Sequence, residues 1–140
     1  MIGERVWKLK STLNGHLDAV RDVHFLNSNI LISVSEDCMI KLWNINGIDK
    51  GKNKPIEPIS TLRDHSGPIF CCEAEPGDTG VFFTGGNDGI VRIWSMQENI
   101  TNSSKSKDSM APPRIDKEFF FRGNFENLWE LAAHPREKML

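Results

Sequence analysis

The sequence predicts an all-β fold, and two observations carry that reading. One is a phrase that occurs twice. Gly15-His16 is followed by an alternating apolar run, then by Ser33-Val34-Ser35-Glu36-Asp37 and Lys41-Leu42-Trp43-Asn44. Asp64-His65 is followed by another such run, then by Thr84-Gly85-Gly86-Asn87-Asp88 and Arg92-Ile93-Trp94-Ser95. The histidine-to-tryptophan spacing is 27 residues in one copy and 29 in the other. A period of roughly 40 to 50 residues, with Gly-His and Trp-Asp-like pairs, marks the four-stranded blade of a propeller. The other observation is a meander of short strand-like runs with turn residues about every eight to twelve positions. Together they predict a partial β-propeller. A leading outer strand (1–15) precedes two complete four-stranded blades, 16–63 and 64–121, and 122–140 is the start of a third.

The elements follow in order. Val6 to Leu13 alternates apolar and polar residues, as a half-exposed strand does. Val20 to Phe25 is a second alternating run, with Val20, Val23 and Phe25 as core contacts, and Asn27-Ser28-Asn29 turns it. Ile30 to Val34 is almost wholly apolar, which suits an inner strand covered on both faces. Ser35-Glu36-Asp37 turns the chain again and Met39 to Trp43 returns. Residues 46–58 are polar with Gly and Pro, a surface loop, and Ile59 to Leu62 resumes as a strand. Ile69 to Ala74, Val81 to Thr84 and Ile90 to Trp94 repeat the meander around a Pro76-Gly77-Asp78 turn. A mobile loop is expected at 97–116. Its polar part, Gln97 to Pro113, carries Ser103, Ser104, Ser106 and Ser109 as phosphorylation candidates. Lys117 to Phe121 reads as an outer strand and Leu128 to Ala133 as the opening strand of the third copy. There Leu128, Leu131 and Ala133 repeat the spacing of Val20, Val23 and Phe25.

Bulk properties exclude several function classes. The 140 residues carry a net charge of −2, with 39% hydrophobic and 26% charged residues, which reads as a soluble globular chain. That balance gives no pull toward nucleic acid or an anionic membrane. No apolar run approaches the ~18 residues of a membrane span, and no signal pattern opens the chain. A cytoplasmic protein is expected. Cys38, Cys71 and Cys72 lack the paired doublets of a zinc site, and as neighbours on a strand Cys71 and Cys72 face opposite sheet surfaces, so they read as small apolar filler. His16, His24, His65 and His134 are scattered, so no metal or other cofactor is expected.

The recurring His, Ser or Thr, Asp and Trp invite a hydrolase reading, with Ser33 as nucleophile, His16 as base and Asp37 as orienter. A catalytic set needs to occur once, in a cleft, beside oxyanion donors. Here it occurs twice, Thr84 replaces Ser33 in the second copy, and no glycine-flanked nucleophile elbow surrounds either hydroxyl. The structural reading has its own physics. An imidazole with one donor and one acceptor nitrogen bridges carboxylate and hydroxyl, and the indole N–H satisfies a further acceptor. Two tetrads, His16/Ser33/Asp37/Trp43 and His65/Thr84/Asp88/Trp94, are therefore expected to staple their blades, and the chain is not expected to be an enzyme.

These tetrads resemble the structural hydrogen-bond set of WD repeats. The likeness narrows with Trp7-Lys-Leu-Lys-Ser-Thr-Leu, Glu57-Pro-Ile-Ser-Thr-Leu-Arg-Asp-His-Ser-Gly-Pro68, Thr84-Gly-Gly-Asn-Asp-Gly89 and Leu128-Trp129-Glu-Leu-Ala, which are similar to the propeller of the striatin family. That resemblance implies a non-catalytic signalling scaffold in assemblies with protein phosphatase 2A, kinases and a Mob-type protein. It implies calmodulin binding as well, with the phosphatase and calmodulin contacts in segments ahead of the propeller. Asn124 stands where a third histidine would, a departure that puts the third tetrad in doubt. A WD-repeat adaptor of another complex is the alternative, and a small hydrolase is the alternative of another class.

In propellers the loops between outer and next inner strand, and between second and third strands, meet partners. Asp18, Glu36, Ser66, Asn87 and Glu126 are the contact candidates on that basis. Propellers close with about 4 to 8 blades and each repeat relies on neighbours to cover its apolar faces. Two blades would leave the inner faces bearing Val23, Phe25, Ile32 and Leu131 uncovered. The chain is accordingly expected to be a piece of a longer scaffold, or a part-propeller that self-associates through open edges.

Overall fold

Alternating side chains let a strand bury one face and show the other, and each run of the meander uses that freedom. A computed structural model describes residues 3–46, 48, 55–96, 112–120 and 127–135. Eight strands form among them: β1 (Val20–Phe25), β2 (Ile30–Ser35), β3 (Ile40–Asn44), β4 (Ser60–Leu62), β5 (Ile69–Ala74), β6 (Val81–Gly86), β7 (Ile90–Ser95) and β8 (Arg114–Phe120). They make two antiparallel four-stranded sheets, β1-β2-β3-β4 and β5-β6-β7-β8, each in chain order. These are the two blades.

Turn chemistry sets the links. The Asn27 side-chain oxygen accepts the backbone N–H groups of Asn29 and Ile30 at 2.8 and 2.9 Å, closing the β1–β2 turn. Gly77 and Asp78, at φ 97° and 55°, reverse the chain between β5 and β6. Aspartates begin both third strands: Asp37 Oδ1 accepts from Met39 N and Asp88 Oδ1 from Ile90 N, at 2.9 and 3.2 Å.

Register decides which side chains share a face. In the first blade Val23 pairs with Ser33 and Ser33 with Lys41, while Phe25 pairs with Leu31 and Leu31 with Trp43; these look away from the second blade. The opposite face carries Ile32, Val34, Ile40, Leu42 and Leu62. It packs on the Ile69, Cys72, Ala74, Phe82 and Trp94 face of the second blade, and this interface is the core. We call the tetrad-bearing face of each blade its leading face and the other its trailing face. Asp22 adds a polar tie between the inner strands, its Oδ2 accepting the Cys72 N–H at 3.0 Å.

Several sequence expectations are corrected. Val20, Val23 and Phe25 are 49%, 52% and 58% exposed, whereas Ile69, Cys72 and Ala74, at the same offsets from their histidine, are 0%, 3% and 7%. The difference is the neighbour: a blade covers the leading face of the second blade and none covers that of the first. Ile32, expected uncovered, is fully buried because it lies on the trailing face, and Leu131 is half-buried. The leading outer strand is not formed; residues 3–16 pair with no strand, and Val6, Trp7 and Leu9 are exposed. β4, the matching stretch ahead of His65, has β3 beside it, and 6–13 has no third strand of another blade to join. Leu128 to Ala133 likewise forms no strand, for want of a second strand in its own blade. The outer strand expected from Lys117 begins earlier, at Arg114, so 114–116 belong to β8 and not to a loop. Most of that loop with its serines, much of 46–58, and Gly123, Asn124 and Glu126 lie outside the described residues.

Candidate functional site

Each tetrad is assembled by three elements. The segment ahead of the inner strand brings histidine, the second strand brings the hydroxyl, and the turn into the third strand brings aspartate, while tryptophan closes the set from the third strand. His16 Nδ1 lies 2.8 Å from Asp37 Oδ2 and its Nε2 2.7 Å from Ser33 Oγ, which also accepts Trp43 Nε1–H at 2.8 Å. His65 Nδ1 lies 2.9 Å from Asp88 Oδ2 and its Nε2 2.7 Å from Thr84 Oγ1, which accepts Trp94 Nε1–H at 2.9 Å. One assignment satisfies every donor: indole to hydroxyl, hydroxyl to Nε2, Nδ1–H to carboxylate. Each aspartate also takes a backbone N–H from the residue after its histidine, Leu17 at 3.0 Å and Ser66 at 3.4 Å.

That order of donors is the one a serine hydrolase uses, yet the chemistry is closed. Ser33 is 4% exposed and Thr84 0%, and an indole N–H occupies each hydroxyl oxygen. A nucleophile must reach its substrate, and neither hydroxyl does. The arrangement instead fixes the loop before the inner strand to the turn between second and third strands, which together form the rim of the blade.

Charge is distributed differently in the two sets. In the second, buried Arg92 donates from Nη1 to Asp88 Oδ2 at 2.7 Å and from Nε to Glu118 Oε1 at 2.9 Å, tying the rim to β8. In the first, Lys41 holds the same register and donates to Thr61 Oγ1 at 3.0 Å. Burial pushes the Asp88 carboxyl up, but the Arg92 hydrogen bond, His65 and the Ile90 N–H outweigh it and hold it below the ordinary value. Asp37 is also lowered, against the push of burial, by the Leu17 N–H, His16 and the Met39 N–H. Burial lowers His65, with Asp88 opposing and Arg92 adding to the effect. Burial pushes the Cys71 thiol up to about 12 and Cys72 higher still, which makes both poor nucleophiles.

The rim candidates sit where these networks place them. Asp18 is exposed and its carbonyl accepts Ser35 Oγ at 3.2 Å. Glu36 pairs with Arg21. Ser66 is exposed beside Asp88, and exposed Asn87 donates to Asn127 Oδ1 at 2.8 Å. The two rims adjoin, since Asp88 of the second blade, after burial, Asp37 and Asp18, helps raise the Cys38 thiol of the first. Sequence reasoning missed Arg92, Glu118 and Arg21. The available signal was a basic residue two positions before each tryptophan, Lys41 and Arg92. Among the described residues no group of three or more His, Cys, Asp or Glu could hold a metal ion, and no helix is long and apolar enough to cross a membrane.

Comparison with known proteins agrees with this geometry. The family described as WD domain, G-beta repeat matches residues 7–44 and 56–95. The chain is similar to the striatin homolog of Dictyostelium discoideum, 38% identical over 140 residues, taking in 94% of this chain and 17% of that protein. It is 34% identical over 139 residues to striatin of Rattus norvegicus, again 94% of this chain and 17% of the relative. Over 91 residues it is 35% identical to GATOR2 complex protein WDR24 of Danio rerio, 64% of this chain and 11% of that protein. The chain thus spans less than one fifth of the length of these curated relatives.

Proposed function

As the chain belongs to the WD domain, G-beta repeat family, we propose that it is a non-catalytic scaffold segment that offers its blade rims to other proteins. The observation that carries this is the pair of tetrads, in which residues of catalytic type are buried, doubly bonded and spent on holding rim loops. The likeness to striatin supports a finer reading, a striatin-like segment of a phosphatase/kinase signalling assembly in the cytoplasm. Its partners there are kinases and a Mob-type protein. Protein phosphatase 2A and calmodulin are met by other segments of the longer protein. Contacts run through Asp18, Glu36, Ser66, Asn87 and Glu126.

Affinity capture from cell extract with the tagged chain, probed for the Mob-type protein and associated kinases, tests this. Retention that is lost in a Glu36→Lys/Asn87→Lys variant with an unchanged far-UV spectrum supports the reading. A folded wild-type chain that retains neither overturns it. Recovery of GATOR2 components instead would favour an adaptor of another complex, for which the likeness to WDR24 is the ground.

A further inference from the structure

Segment 127–135 lies on the trailing side of the second blade without joining it as a strand. Leu128 N donates to Gly86 O at 3.0 Å, the Cys71 thiol points at Leu128 O at 3.4 Å, and Trp129 stacks on Phe70 with ring centroids 4.3 Å apart. The Leu128 side chain stands close over Gly85. Trp129 itself remains 65% exposed. In spacing, Leu128, Leu131 and Ala133 repeat Val20, Val23 and Phe25, the apolar residues of β1 that nothing covers. The molecule therefore holds one surface that accepts this side-chain pattern and a second, unoccupied copy of the pattern.

We propose that the trailing face of the second blade is a docking surface for the leading face of the first blade in a second copy of the chain, and that segment 127–135 is an intramolecular cap competing for it. The interface between the two blades shows the chemistry of such a contact, since there Ile69, Cys72 and Ala74 at the offsets of Val20, Val23 and Phe25 lose their exposure against a trailing face. Because the two surfaces differ, the contact is head-to-tail and propagates until a ring closes. With two blades a copy, a ring of about 4 to 8 blades takes roughly two to four copies. This is independent of which proteins meet the rim, and it is read by mass rather than by capture.

The experiment is sedimentation velocity on the full chain, on Leu128→Asp, and on Leu128→Asp/Phe25→Asp, each checked by circular dichroism. Releasing the cap is expected to tighten self-association by about tenfold or more, and the exposed Phe25→Asp change to reverse the gain. Should Leu128→Asp fail to fold, Trp129→Ala with and without Phe25→Asp makes the same comparison. A folded cap variant that associates no more than wild type overturns the proposal and leaves the leading face to a partner other than this chain. Association that Phe25→Asp does not reverse also overturns it, because the contact would then not run through the leading face.

Discussion

Val20 and Ile69 occupy one position in two blades, each four residues after its histidine, yet Val20 is 49% exposed and Ile69 fully buried. Deleting buried methyl groups forfeits both transfer free energy and packing, whereas surface changes stay within about 0.5 kcal/mol. Ile69→Ala is expected to cost about 2–4 kcal/mol and Val20→Ala less than about 1 kcal/mol, read as urea midpoints at constant m. Equal losses would show that the leading face of the first blade is covered after all.

The two aspartates should differ as well. Asp37→Ala removes the acceptor for His16 and for two backbone N–H groups, a loss of about 1–3 kcal/mol. Asp88→Ala removes the same kind of acceptor and also strands part of a buried guanidinium, since Arg92 keeps only Glu118. Breaking a buried pair from one side costs about 3–5 kcal/mol, so the second substitution should be the more damaging. Equilibrium denaturation of both variants decides it; the reverse order would mean that Arg92 is not held by Asp88.

Stability should fall toward acid in two stages. His65 is held below its usual 6.5, so below that pH the unfolded chain takes up a proton that the folded chain refuses, and stability declines as pH falls. Asp37 and Asp88 are held below 3.8; their contribution is complete above that value and is lost as pH drops through their lowered folded values. All three groups act in one direction. Urea midpoints across the acid range should show a shallow decline first and a steep one later. A His65→Gln variant, less stable throughout, should lack the shallow stage; a wild-type profile flat down to the carboxylate range would contradict it.

What could be read from the sequence was whatever repeats within one blade. The eight strands follow from alternation and turn residues, and the tetrads from His, hydroxyl, Asp and Trp recurring in order. What could not be read depends on the next blade. Val23 and Phe25 look like core residues by alternation, and only the presence or absence of a neighbour decides whether they are. Ile32 is misjudged for the converse reason, because it points at the blade that is there. Arg92 reads as a solvated charge until Glu118, on a strand 22 residues after β7 begins at Ile90, provides its second carboxylate. The Asp22 tie to the Cys72 N–H needs the irregular register at the start of β5, which has no sequence signature.

The glycine pair at the end of β6 separates stability from the cap. A Cβ on Gly86 would stand 2.2 Å from Pro68 O and 2.8 Å from Ile69 Cα, both backbone atoms that cannot swing aside. Gly86→Ala must then part β6 from β5, and a loss at or above the ~3 kcal/mol upper end for overpacking is expected. A Cβ on Gly85 would meet the Leu128 side chain at 3.1–3.2 Å and Cys71 Sγ at 3.3 Å. Those neighbours sit on the cap and on a side chain, so Gly85→Ala should cost about 1 kcal/mol or less while lifting 127–135 from the blade. Trp129 fluorescence should shift toward that of a solvated indole in Gly85→Ala without loss of the far-UV spectrum. An unshifted Trp129 signal in a folded Gly85→Ala chain would mean that the cap is not held over this glycine.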